Sequence, residues 1–370
     1  MSWNDVKLDQ VILFKNGKKR PIGTGKFPVY GGNGILGYAD SPNNRNCVIV
    51  GRVGAYCGSV YYEDGDCWVS DNAICALPKG ENDIIFLYYL LKSLELNKRH
   101  IGTSQPLLTQ EILNSIVCKI PAKDTQFKIG RLLRTLDEKI AVNQKINDNL
   151  MQQAVTIFKS WFVEYSPFDG IEPKEWETVN LEKITSLISR GIAPKYSDSS
   201  DQIVINQKCI RNHTIDLSPA RTHTPKVINE KWLRFGDLLI NSTGDGTLGR
   251  AAQVWFQPQN ITVDSHVTVV RPAKENLIFY IGLWGVLHER EIESLHTGST
   301  GQTELPKERV KALELHLPDS GTLDRFNTLI APMAAAIVSM QNENNKLAIL
   351  RDALLPKLMS GEIDVSAVQL

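Results

Sequence analysis

The apolar positions fall into two kinds of stretch, and each kind occurs twice. Leu133, Leu136, Ile140, Asn143, Asn147, Leu150, Ala154 and Ile157 recur at alternating spacings of three and four. Ile330, Met333, Ile337, Met340, Asn344, Leu347, Arg351 and Leu354 do the same. This heptad spacing predicts two long helices, each with a narrow apolar seam. At ~1.5 Å per residue, helices of roughly 35–40 residues extend on the order of 50–60 Å. Two seams of about equal length in one chain most simply pack on each other, the alternative being that each packs on its own domain. Asn147 and Asn344 hold equivalent seam positions, where a buried polar group costs stability but fixes register. Pro356 followed by Gly361 predicts that the second helix bends or stops there.

Ahead of each helix the pattern shortens to β-prone runs punctuated by Gly, Asn and Asp. In the first half these are Val48–Val50, Ser59–Tyr62 and Ala73–Leu77, followed by a helical pattern over Ile84–Leu96. In the second half they are Ile203–Ile205, Leu238–Ile240 and His266–Val270, followed by a helical pattern over Leu277–Leu287. The letters repeat as well. Trp3, Val6 and Leu8 form a W-x-x-V-x-L that returns as Trp176, Val179 and Leu181. Gln105, Leu108, Glu111 and Pro121 return without a gap as Gln302, Leu305, Glu308 and Pro318. The chain is therefore expected to be α+β and internally duplicated. Two globular domains, 1–122 and 165–319, are separated by helices at 123–164 and 320–370. Duplication at half length places similar modules about an approximate two-fold axis, an arrangement suited to a two-fold partner such as duplex DNA. Only an antiparallel helix pair, with its globular halves at opposite ends, suits DNA read at two places with a gap between.

Composition narrows the classes. The 370 residues allow two or three domains. No apolar run reaches the ~18 residues of a membrane span, and the first residues carry no signal-peptide pattern, so a cytoplasmic location without membrane contact is expected. The six cysteines form no C-x-x-C, which leaves zinc without a framework and points to reduced, packed thiols. Formal net charge is zero, which argues against indiscriminate coating of nucleic acid. Locally the balance differs: no acidic residue lies between Asp9 and Asp40, while Lys15, Lys18, Lys19, Arg20 and Lys26 do. Such a run is a solvated face or an edge that meets phosphate.

No catalytic motif survives inspection. There is no Pro-Pro pair, hence no Asn-Pro-Pro-Phe/Tyr motif of the methyltransferase type, and Gly25-Lys26 fails as a phosphate loop because Arg20 and Phe27 stand where Gly and Ser/Thr belong. Gly-x-Ser-x-Gly and His-Glu-x-x-His are absent. The chain reads as a recognition component rather than an enzyme. Its unusual loops are polar and Gly-rich, and Asn, Gln and Arg match the edges of adenine and guanine. Candidate DNA-binding residues in the first half are Lys18, Lys19, Arg20, Tyr30, Gly32, Asn33, Arg52, Tyr56, Asn72 and Gln105. In the second half they are Gln207, Lys208, Arg211, Asn241, Ser242, Thr243, Thr247, Arg250, His266 and Gln302. The loops Gly51–Gly58 and Asn241–Arg250 each follow one apolar strand and precede another. A coiled-coil scaffold with protein-binding ends is the competing reading.

These features together resemble the specificity subunit of Type I restriction-modification systems, over essentially the whole chain. The stretches that carry the resemblance most specifically are Leu136–Asn147, Phe158–Phe162 and Leu350–Glu362. The resemblance implies two target recognition domains, each reading half of a bipartite site, and an antiparallel pair of helices that sets the unread spacer. It also implies two methyltransferase subunits docked on the helices, with Phe158, Trp161, Phe162, Leu354, Leu355 and Leu358 as candidate docking residues. Restriction subunits join through that assembly. No cofactor is expected on this chain; S-adenosylmethionine is expected on the methyltransferase subunit, and adenine is the base the family modifies. Ala334–Ala336 replaces Asp137–Lys139, so the two helices are not alike in detail.

Overall fold

The computed structural model describes residues 3–102, 105–226, 228–244, 246–298 and 303–368. They form two compact units, residues 1–142 with 343–370 and residues 143–342. The long helices, Lys123–Phe162 and Ser320–Ser360, each give one half to either unit, so the units cut across the sequential order of domains and helices.

In the first unit six strands make one sheet, in the spatial order Ile12–Asn16, Ala73–Pro78, Asn44–Gly51, Val60–Val69, Phe27–Gly31 and Gly34–Ala39. Successive side chains of a strand face opposite ways, and the residues follow that period. Val48, Val50, Ile74 and Ala76 join the main core with helix Ile84–Ser93. Cys47, Ile49, Cys67, Val69 and Cys75 line the other face. The Sγ atoms of Cys47 and Cys67 lie 3.6 Å apart, and all six cysteines are free and buried. The Asp83 carboxylate caps helix Ile84–Ser93 by accepting from Phe86 N at 2.7 Å.

The second unit splits its strands further. Thr185–Arg190, Val267–Pro272, Leu238–Asn241 and Ala251–Gln253 form an antiparallel sheet. Ile203–Ile205 pairs parallel with Ile261–Val263 and antiparallel with Arg221–Thr222. Helix Ile278–Leu287 is buried almost all round, as its unbroken apolar sequence requires.

The W-x-x-V-x-L opening closes each unit in the same manner. Trp3–Lys7 pairs with Val117–Pro121, and Glu177–Asn180 with Glu314–Leu317. Leu8 N then donates to Ile116 O at 2.9 Å, and Leu181 N to Leu313 O at 2.8 Å, both leucines being fully buried. Trp3 lies against Gly361, while Trp176 lies among Phe162, Tyr165 and Phe168.

The helix segments pack antiparallel inside the first unit. Asp137 pairs with Arg351 at 2.6 Å, whereas Lys139, further along, pairs with Glu343 at 3.4 Å. Asn344 donates its side-chain amide to Ile140 O at 3.5 Å. In the second unit Phe158, Trp161 and Phe162 surround Phe326, with centroid distances of 6.0, 5.8 and 4.8 Å. The second helix does not stop at Pro356. It runs to Ser360, because a proline so near the end removes one late hydrogen bond, and Gly361 at φ +78° ends it.

Candidate nucleic-acid interface

Four loops of the first unit meet around Gly32. They are the turn after Phe27–Gly31, the segment Arg52–Cys57, the turn Ser70–Asn72 and the stretch Gln105–Leu107. Ser70 N donates to Tyr30 O, Arg52 N to Asn72 O and Gly58 N to Gly51 O, at 2.9, 2.9 and 2.8 Å. Leu108 N donates to Arg52 O at 2.8 Å, and Val53 bridges to Leu107. A Cβ built on Gly32 would have Asn72 O, Tyr56 Cβ and Val53 O as its nearest atoms, each at 3.6 Å. The arrangement thus gathers Gly32, Asn33, Arg52, Tyr56 and Asn72, with Gln105 on the adjoining stretch.

The second unit repeats these bonds one for one. Asp264 N donates to Ile205 O, Ser242 N to His266 O and Gly249 N to Asn241 O, at 2.9, 2.8 and 2.9 Å. Leu305 N donates to Ser242 O at 2.8 Å, and Thr243 bridges to Glu304. Gly32 therefore corresponds to Gln207, Arg52 to Ser242, Val53 to Thr243 and Asn72 to His266. A run of matched backbone hydrogen bonds is stronger support for duplication than letter identity, since each requires both partners in place. Thr243 Oγ1 lies 2.7 Å from His266 Nδ1 and donates to Gln207 Oε1 at 3.2 Å, so the second cluster is internally bonded.

Several expected contacts need correcting. Tyr30 is buried and donates its hydroxyl to the Glu63 carboxylate at 2.9 Å; burial and that carboxylate push the phenol pKa up. Gly32 is buried and contributes backbone, its carbonyl accepting from Tyr61 OH at 3.4 Å. Asn241 and Ser242 are fully buried, the former donating to Gln207 O at 3.1 Å and the latter bonded to Thr268 Oγ1. They build the loop and cannot reach a partner. Thr247 turns its hydroxyl to the carbonyls of Thr243 and Gly244. Gln302 lies outside the described residues.

The remaining candidates are accessible. Asn33, Tyr56, Asn72, Gln105, Lys208, Arg211 and His266 are exposed, and Arg52, Gln207, Thr243 and Arg250 are half-buried. Lys18, Lys19 and Arg20 are exposed; Lys18 N donates to Val69 O at 3.0 Å, which seats the basic run beside the Ser70–Asn72 turn. Arg20 reaches back to Leu36 O. Arg211, Asn212, His213, Arg250 and Glu289 line one cleft, where the Glu289 carboxylate sits 3.2 Å from His213 Nδ1.

The candidate docking residues are committed elsewhere. Phe158, Phe162 and Leu358 are buried in the cores of their units, and Trp161, Leu354 and Leu355 pack half-buried against those cores. They hold the helices to the globular parts, because the heptad seam and the aromatic run face the same side. Sequence reasoning also missed Arg190, which pairs with Glu304 and donates to Leu305 O at 2.8 Å, pinning the 303–305 segment. A lone arginine ending a short strand gives no pattern to find. Among the described residues no group of His, Cys, Asp or Glu is arranged to hold a metal, and no helix is long and apolar enough to cross a membrane.

Comparison with known proteins agrees with this architecture. The chain is 26% identical over 308 residues to the Type I restriction enzyme MjaIX specificity subunit of Methanocaldococcus jannaschii, covering 76% of this chain and 69% of the relative. It is 22% identical to the HindI specificity subunit of Haemophilus influenzae, covering 80% of this chain and 79% of that one. The crystal structure of a Type I restriction-modification S subunit from M. genitalium superposes with a TM-score of 0.61 at 16% identity, covering 97% of this chain and 96% of that one. Residues 1–152 and 173–333 match the family described as Type I restriction modification DNA specificity domain, and the chain belongs to that family.

Proposed function

We propose that this chain is the non-catalytic specificity subunit of a DNA-modifying and restricting complex, and that each unit reads one half of a bipartite site. The observation that carries this reading is the bond-for-bond repetition of the loop scaffold with different side chains on it. A matched scaffold holds two reading surfaces in equivalent frames. Different side chains at Gly32/Gln207, Arg52/Ser242 and Asn72/His266 then make the two half-sites differ. The antiparallel helix segments set the unread spacer, and their exposed faces carry two methyltransferase subunits, through which restriction subunits join. S-adenosylmethionine belongs on the methyltransferase subunit. The Lys18–Arg20 run supplies some phosphate contact, but zero net charge leaves most of it to the partners.

Co-expression with a methyltransferase subunit, followed by genome-wide mapping of methylated bases, tests the reading. The expected result is one asymmetric bipartite motif that vanishes when this chain is omitted. Methylation independent of this chain, or tight sequence-specific DNA binding by the chain alone, overturns the division of labour.

A further inference from the structure

Arg52 is the one charged side chain in the first unit's loop cluster whose backbone is fixed on both sides and whose head is left open. Its N donates to Asn72 O at 2.9 Å, and its O accepts from Leu108 N at 2.8 Å and Cys57 Sγ at 3.3 Å. The side chain is half-buried, and Nε is enclosed without an acceptor. No hydrogen bond or ion pair reaches its guanidinium among the described residues. A partly desolvated guanidinium has five donors and no acceptor of its own, so leaving it unmatched is costly. Arg134 and Arg351, the half-buried arginines of the helix pair, both meet carboxylates.

We propose that Arg52 is a base-reading residue, and that its ligand is the O6/N7 edge of a guanine in the major groove. This rests on the DNA-reading function proposed above and adds the base to it. Three observations favour a base over a phosphate. The Arg52 backbone is anchored at the loop centre, bonded to Asn72 O and Leu108 N, rather than on the outlying Lys18–Arg20 run. Gly32, which faces Asn72 O and the carbonyl of the next residue Val53, has no side chain where the second unit carries Gln207. Finally, a planar fork held at its root suits a bidentate edge, whereas a phosphate contact asks only for charge. The second unit has the buried Ser242 at this position and therefore reads its half-site without an arginine there.

The test uses the methyltransferase complex carrying Arg52→Ala, Arg52→Lys or Arg52→Gln. Mapped motifs are compared, and binding is measured on duplexes in which each G·C pair of the first unit's half-site is changed to A·T. That half-site is the one altered by exchanging residues 1–122. The wild-type complex should lose about 5- to 150-fold in affinity when one particular G·C pair is changed. Arg52→Ala should abolish that discrimination at that pair and leave the other half-site unchanged. Arg52→Lys, which keeps the charge but loses the fork, should lose most of it too. Arg52→Gln guards against a folding defect in the alanine variant, and a shift of its preference toward adenine supports the proposal. A half-site without G·C, unchanged discrimination in the variants, or an equal loss on all duplexes with a shallower salt dependence overturns it. A wild-type complex with no motif at all refutes the functional reading instead.

Discussion

Cys47 in the first unit and Asp237 in the second stand at the same point of one scaffold, and so do Leu77 and Arg271. The strand registers fix the correspondence: Val48 faces Ala76 as Leu238 faces Val270, and Leu13 faces Leu77 as Leu187 faces Arg271. The first unit fills this face of its sheet with thiols and apolar side chains. The second buries an ion pair, Arg271 Nε and Nη2 each donating to an Asp237 oxygen at 2.7 Å, with Nη1 and Nη2 also donating to the carbonyls of Glu230 and Trp232. The loop face differs in the opposite sense, with an unmatched arginine in the first unit and the self-bonded Gln207, Thr243 and His266 in the second. Backbone hydrogen bonds are what the two units share, and side chains are what they were free to change. The scaffold therefore tolerates new surfaces, which a specificity module requires.

The largest expected effect comes from breaking that equivalence at the level of a whole module. Exchanging residues 1–122 for those of a relative should replace one half-site completely and leave the other intact, as read from the methylated motif. A change in both half-sites would mean the units do not read independently.

The buried pair sharpens the comparison next. Arg271→Met leaves the Asp237 carboxylate, which is fully buried, without its cation, and breaking such a pair costs about 3–5 kcal/mol. Hydrogen exchange should show protection falling in Leu238–Asn241 and Val267–Pro272 but not in Asn44–Gly51. Adding Asp237→Leu should recover most of the loss, since an apolar pair there imitates the first unit. If the double variant is no better than the single one, the carbonyl bonds of Arg271 matter more than its charge.

Two glycines test whether the shared backbone is under the same constraint. Gly58 and Gly249 both sit at φ +85° at the end of matching loops. A Cβ would come within 2.3 Å of Asn97 N at Gly58 and 2.7 Å of Glu293 Cβ at Gly249. Alanine at either position should lower the melting temperature, the left-handed conformation alone costing about 1–2 kcal/mol. The Gly58 variant should suffer more, because its three nearest atoms, all backbone, lie 2.3–2.7 Å away, against 2.7–3.0 Å at Gly249. Gly32→Ala, with open contacts and no such φ, should melt like the wild type.

Much of this was legible in the chain. The heptad spacing gave both long helices, and the W-x-x-V-x-L pair marked where each unit closes on its last strand. The Gly51–Gly58 and Asn241–Arg250 loops were found because Gly and Asn punctuate apolar strands. What the sequence hid was direction. Tyr30, Asn241 and Ser242 have loop-like chemistry, yet they lie in or just after runs of consecutive buried strand residues, and that cover comes from partners far away in sequence. Phe158 and Phe162 show the reverse: an aromatic run at a helix end suggests a docking surface, but the two rings close a core. Two short strands just after the basic run, Phe27–Gly31 and Gly34–Ala39, were hidden because Pro28, Gly31, Gly34 and Gly37 mask their alternation.

The smallest expected effect is a pH dependence confined to the second unit. Among the described residues the histidine–carboxylate pairs, His213–Glu289 and His316–Glu172, both lie there. Close pairing with the Glu289 carboxylate lifts the His213 pKa above its ordinary value, against burial and despite Arg211 and Arg250 lining the same cleft. Glu289 is itself held by Ala251 N, which donates to it at 2.6 Å. A histidine whose pKa rises on folding stabilises the fold fully below its unfolded value of about 6.5, and that contribution fades as pH climbs through the raised value. Five of the seven tryptophans, Trp161, Trp176, Trp232, Trp255 and Trp284, report on this unit. His223 in the same unit, fully buried with its pKa pushed down by desolvation, works the other way, so the His213 contribution is read from a substitution, in urea unfolding followed by tryptophan fluorescence, and is small because the pair is partly exposed. Glu289→Gln should lower the midpoint at pH 5.5 more than at pH 8. An equal drop at both values would mean that Glu289 acts through its bond to Ala251 N, and that the His213 charge contributes nothing.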